Sequence, residues 1–152
     1  MIQVLLLGDE KKYVCVIINS LEQVYSMANV IISKPDQFHH EIKTWARLLD
    51  FFKQENTILK NRLAEVVDYR ADKEFLALAE QFQNKFIIKD EHIDELRHDT
   101  NLQARDLTST NTALTDIKLI KRQEQLRNEL EYFENDFNKL KNEFNKYLST
   151  VL

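Results

Sequence analysis

Apolar residues recur along this chain at alternating steps of four and three. From Phe38 the series runs through Ile42, Trp45, Leu49, Phe52, Asn56, Leu59, Leu63 and Val66 without a break. A repeat averaging 3.5 residues keeps one stripe of an α-helix turned toward a partner helix. Ile42, Leu49, Asn56 and Leu63 take the a positions of the heptad; Phe38, Trp45, Phe52, Leu59 and Val66 take the d positions. Asn56 is the polar member of this stripe. Leu48, Phe51, Ile58 and Val67 lie beside it. They predict a buried face wider than a two-stranded coil needs, and so a third helix or a second chain.

The pattern stops near Tyr69, Arg70 and Ala71, and Asp72 is a candidate cap for a second helix. There the spacing returns as Phe75, Ala79, Phe82, Phe86, Lys89, Ile93, Leu96 and Thr100, broadened by Ile87 and Ile88. A short connection makes these two helices antiparallel neighbours. One register sets Phe52 against Ile93, Leu49 against Leu96, Leu63 against Phe82 and Asn56 against Lys89. It gathers both polar seam residues into one layer, which is favoured because an unpaired buried amide costs about 1–3 kcal/mol.

Residues 99–111 are rich in Asp, Asn, Thr, Ser and Gln, and a second break is expected between 107 and 111. A third helix then runs to the C-terminus. Its seam is Leu126, Leu130, Phe133, Phe137, Leu140, Phe144, Tyr147 and Val151. Between Leu114 and Ile120 the phase slips, as in a stutter or a frayed start. Helices of 33 to 40 residues would each be about 50–60 Å long at 1.5 Å per residue.

Residues 1–34 have another texture. Residues 2–7 and 13–18 are β-branched or apolar runs on either side of Gly8, Asp9, Glu10 and Lys11, which reads as a β-hairpin. Ser20, with Gln23 in the capping-box position, opens a short helix. An alternative reading begins the native protein at Met27 and places residues 1–26 upstream of it. Ser33, Pro35 and Asp36 have the order expected at a helix start.

The division is therefore 1–34 as an N-terminal hairpin and short-helix segment and 35–152 as a coiled-coil-rich helical domain. The fold class is mainly α: a long antiparallel helical hairpin with a third long C-terminal helix, either a three-helix bundle or an oligomer.

Composition sharpens this picture at one point. Of the 152 residues, Gly8 and Pro35 are the single glycine and proline. From Asp36 onward the chain has neither, so tight turns and rigid bends are scarce and long helices are favoured. The same scarcity removes phosphate-binding loops and nucleophile elbows.

Charge excludes less. The net charge is −4 and is spread evenly, without the basic face of a nucleic-acid binder. The cluster Lys118, Lys121 and Arg122 is followed at once by Glu124 and reads as helix surface. No membrane span is expected, because Asn19, Glu22, Gln23 and Asn29 interrupt residues 13–32. No signal peptide is evident, and the expected compartment is the cytoplasm.

No Ser/His/Asp or Cys/His set stands out among the side chains. Cys15 lies in an apolar run and reads as an inert thiol. Glu95 and His98 have the Glu-x-x-His spacing of carboxylate-bridged metal sites, with Asp36 and His39 a looser version. The heptad phase puts both pairs off the seam, so no metal and no cofactor is expected. His39 and His40 read as exposed.

The function read from these features is non-enzymatic. The chain is expected to act as a scaffold, adaptor or oligomerisation module, meeting a protein partner or itself. The residues expected to carry this role are the seams: Trp45, Phe52, Asn56 and Leu59; Phe82, Phe86, Lys89 and Ile93; Phe133, Phe137, Leu140 and Phe144. The third helix is expected to be the one that meets a partner. Asn56 would set register and partner number at a cost in stability. Two alternatives stand beside this: a holdase-like chaperone whose N-terminal hairpins build an oligomeric platform, and a metal-binding helical bundle.

Overall fold

Three helices make up the described residues of the structure, a computed structural model. It describes the backbone of residues 10–70, 72–109 and 116–152, and within these ranges the side chains from residue 36 onward. The helices are α1 (Glu10–Tyr69), α2 (Lys73–Ser109) and α3 (Ile117–Val151). No strand occurs among the described residues.

Local chemistry sets the helix ends. After α1 the Arg70 amide turns back to the Val67 carbonyl at 3.4 Å, a tightened last turn. Asp72 then caps α2, its Oδ1 accepting from the Phe75 amide at 2.9 Å, as its position after the first break suggests. Asp116 does the same for α3, accepting from the Lys118 amide at 2.9 Å.

Cross-helix pairs give the directions. α2 runs antiparallel to α1, with Lys53 on Asp94 at 3.0 Å and Arg97 on Asp50 at 2.6 Å. α3 returns parallel to α1, with Arg127 on Glu41 at 2.8 Å and Lys141 on Glu55 further along. It is antiparallel to α2, where Arg122 meets Asp106 at 3.0 Å and Lys85 meets Glu143 at 3.2 Å. The product is an up-down-up bundle in which the third helix closes on its own hairpin. At 37 residues, α2 makes it a rod about 55 Å long.

The core is one continuous seam. Leu49, Phe86, Ile93, Phe133 and Phe144 are fully buried. The rings interlock across helices: Phe52 lies 5.3 Å from Phe133 and 4.9 Å from Phe137. Phe144 stands edge-on to both Phe82 and Phe86, at 5.2 and 5.1 Å. Three helices leave a wider central space than two, and these large rings fill it.

Four expectations are corrected. Residues 13–18, read as a strand, lie inside α1; residues 2–7 and Gly8 fall outside the described residues. Their β-branched content suits a strand, but the wider apolar spacing of three and four through residues 14–31 suits a helix. The helix starts read at Ser20 and Ser33 are likewise absorbed, since α1 continues through Pro35. Phe51 and Ile58 are 51% and 52% exposed, and Ile87 and Ile88 are also exposed. α3 settles against the seam itself and does not reach them. Finally, from Ile117 onward the α3 pattern shows no slip: Leu119 and Gln123 are buried and carry the spacing into Leu126, while Leu114 falls outside the described residues. The slip is at the other end, where Leu148 is buried and Tyr147 and Val151 are partly so.

Candidate functional site

Every seam residue expected to carry the function is buried in the closed bundle. Trp45, Phe52, Leu59, Phe82, Phe86, Ile93, Phe133, Phe137, Leu140 and Phe144 form the apolar core, and Asn56 and Lys89 are buried polar members of it. While the bundle stays closed these side chains are not accessible from outside.

The two polar residues share one layer. Asn56 Nδ2 donates to the Phe86 carbonyl at 2.8 Å and to Asp90 Oδ1 at 2.9 Å, on the turn that contains Lys89. They do not pair with each other. Lys89 Nζ turns to α3 and donates to Asp136, over the face of the Phe133 ring at 5.6 Å. Asp90 also receives Lys60 and, at 3.5 Å, Lys53. One layer thus ties α1 to α2 through Asp90 and α2 to α3 through Asp136.

Both carboxyls titrate low, for different reasons. At Asp90 burial acts to raise the value, but the hydrogen bonds from Lys60 and Asn56 and the charges of Lys60 and Lys53 outweigh it. At Asp136 the hydrogen bond from Lys89 dominates; burial opposes it, and the charges of Lys89, Lys139 and His92 assist. The folded state therefore binds these two protons later than the unfolded chain as pH falls. Their stabilisation is complete above the free aspartate value of about 3.9 and is lost as pH drops through the lower folded values. The urea midpoint is expected to fall between about pH 4 and pH 2. In the variant Asp90→Asn/Asp136→Asn the fall should be shallower; an equal slope would assign acid sensitivity to other groups.

A second polar layer was not read from the sequence. Gln103 Nε2 donates to the Leu119 carbonyl at 2.9 Å and to Gln123 Oε1 at 3.1 Å. Gln123 Nε2 donates in turn to Glu41 at 2.9 Å and the Phe38 carbonyl at 3.4 Å. Glu41 is held by Arg127. A signal existed: both glutamines continue the four-three spacing, after Thr100 and before Leu126.

Asn56 Oδ1, Thr100 Oγ1 and Gln103 Oε1 are buried with no hydrogen-bond partner. Asn56→Leu removes one such acceptor and leaves Asp90 its two lysines. It is expected to raise stability by about 1 kcal/mol while loosening helix register. A lower melting temperature at unchanged mass would show that the Nδ2 bonds matter more.

The other candidates are at the surface. Glu95, His98, Asp36 and His40 are exposed, and His39 is half-buried. Among the described residues no three His, Cys, Asp or Glu side chains converge as metal ligands, and no described helix is long and apolar enough to cross a membrane. Arg122 of the basic cluster is engaged by Asp106.

What the surface does offer is apolar. Phe51 and Ile58, one heptad apart, share an outer face of α1; Leu78, Ile88 and Tyr132 are exposed on the other helices. Between α1 and α2 an open groove of about 430 Å³ is lined by Leu63, Ala64, Val67, Leu76 and Ala79, with Glu80 and Gln83 at its edge. Compared with known proteins, the chain matches no family model, no curated protein and no solved structure.

Proposed function

We propose that this chain is a non-catalytic helical scaffold of the cytoplasm, working through protein–protein contacts. The observation that carries this reading is the division of its apolar residues. A seam of rings satisfies the bundle internally, yet large apolar side chains such as Phe51, Ile58 and Ile88 remain half-exposed outside it. Single exposed apolar residues are ordinary on any protein. A pair one heptad apart on the same helix face is the form in which a rigid helix presents anchors to a partner. The chaperone platform needs an N-terminal hairpin, and residues 13–18, its second strand, lie within α1.

The test is site-specific photocrosslinking in cells. A photoreactive phenylalanine analogue at position 51 or 58 is expected to give discrete protein adducts. The same analogue at exposed Thr57, about 100° or more around the helix from both, is expected to give few. Equal yields at all three positions, or none, would remove the outer face as the contact surface.

A further inference from the structure

We infer that one end of the bundle opens as a unit while the other stays closed. The moving tip is α2 over residues 100–109 with α3 over residues 117–127. It lifts from α1 and uncovers Phe38, Ile42 and Trp45. This goes beyond the scaffold reading and stands on other residues.

The first observation is a change in the seam along the rod. Toward the connection between α1 and α2 the seam is aromatic. Phe82 and Phe86 of α2 pack on Phe144 of α3, and Phe75 stacks on Tyr147. At the other end α2 turns Thr100 and Gln103 inward and α3 turns Gln123 inward, all three buried. Thr100 Oγ1 and Gln103 Oε1 have no hydrogen-bond partner there. Lifting the tip returns these oxygens and the glutamine amides to water. That offsets part of the cost of wetting the apolar α1 residues, and parting the rings of the other end brings no such return.

The second observation is coverage at equal depth. Ile42 and Trp45 lie four and seven residues inside Phe38, and they are 7% and 8% exposed. Leu63 and Leu59 lie three and seven residues inside Val66, at the aromatic end, and they are 3% and 2% exposed. Side chains at matching positions of one helix are therefore sealed less well where the opposing seam is polar.

The third observation is how the polar ties are divided. Within the tip, α2 and α3 hold each other. Gln103 donates to the Leu119 carbonyl at 2.9 Å and to Gln123 at 3.1 Å, and Arg122 meets Asp106 at 3.0 Å. Toward α1 the tip converges on one carboxylate. Gln123 and Arg127 both donate to Glu41, at 2.9 and 2.8 Å, and Gln123 also reaches the Phe38 carbonyl at 3.4 Å. Releasing Glu41 frees the tip without separating α2 from α3. Further along, Arg97 on Asp50 and Lys141 on Glu55 keep both helices on α1 and bound the opening.

Trp45 is the single tryptophan of the chain and reads this opening directly. Acrylamide quenching of its fluorescence is measured on the full chain, with helix content followed by circular dichroism. Gln103→Leu/Gln123→Leu makes the tip's seam apolar and is expected to lower the quenching constant about twofold or more. Glu41→Ala removes the tie to α1 and is expected to raise it about twofold or more at unchanged helix content. If the leucine pair yields mixed masses, Thr100→Val takes its place, since it deletes an unpaired buried hydroxyl with little change of shape; it too is expected to lower the quenching. Hydrogen exchange on wild type gives a second reading, because a helix pair without its third partner is marginal. Amides over residues 100–107 and 119–126 are expected to exchange about tenfold or more faster than those over 79–86 and 137–144. Quenching that is unchanged in the closing variant, quenching that is unchanged in Glu41→Ala, or equal protection at the two ends would each overturn the inference.

Discussion

Phe133→Ala is expected to destabilise the bundle more than any other single truncation, by about 3–5 kcal/mol. The side chain is fully buried and stands where all three helices meet. Its ring is 5.3 Å from Phe52 on α1, 5.1 Å from His92 on α2 and 5.9 Å from Phe137 on its own helix. Removing it leaves a cavity bounded by rigid rings, which cannot collapse as aliphatic neighbours can. It also removes edge-to-face pairs worth about 0.5–1.5 kcal/mol beyond area burial. For a chain of this size the melting temperature should fall by about 10 °C. Urea denaturation followed by circular dichroism measures the loss, with Phe51→Ala as the comparison. Phe51 is half-exposed, and its truncation is expected to cost less than about 1 kcal/mol. If the two variants melted alike, α3 would not be closed on the hairpin as described.

Lys89 and Asp136 should show the asymmetry of a buried pair. The Lys89 side chain is 10% exposed and its partner carboxylate 42%. Asp136→Ala leaves an ammonium in the seam with no counter-charge. Breaking such a pair typically costs 3–5 kcal/mol when both ends are buried, so about 2 kcal/mol is expected with one end open to water. Lys89→Met/Asp136→Ala removes both charges and fills the seam position with an apolar side chain of similar length. It is expected to recover most of the loss or to exceed wild type. A double variant as weak as Asp136→Ala would show that the pair stabilises the bundle outright. A double variant that is stable but of mixed mass would assign the pair to specifying helix register.

Much of the bundle was legible because periodicity is a local property. Each of Phe38 to Val66 on α1 and Phe75 to Thr100 on α2 that the spacing selected is buried. The antiparallel register placed Asn56 in the layer of Lys89, and the hydrogen bonds to Phe86 and Asp90 lie on that turn. Three things were not legible. Gln103 and Gln123 were passed over because they are polar, although each stands on the spacing. Asp90 and Asp136 lie one step off the stripe, and nothing local shows that lysines converge on them. The strand reading of residues 13–18 followed β-propensity over a short window and lost to a longer helical repeat.

The sequence by itself determined helix, stripe and phase, since these depend on residues three and four apart along one chain. Only the tertiary structure decided which side of the hairpin α3 occupies. That choice depends on pairs such as Glu41 with Arg127 and Glu55 with Lys141, more than eighty residues apart. It buried Phe133, Phe137 and Phe144 inside one chain, and by the same placement left Phe51, Ile58 and Ile88 exposed. A heptad records that a face must be covered; the packing of whole helices decides what covers it.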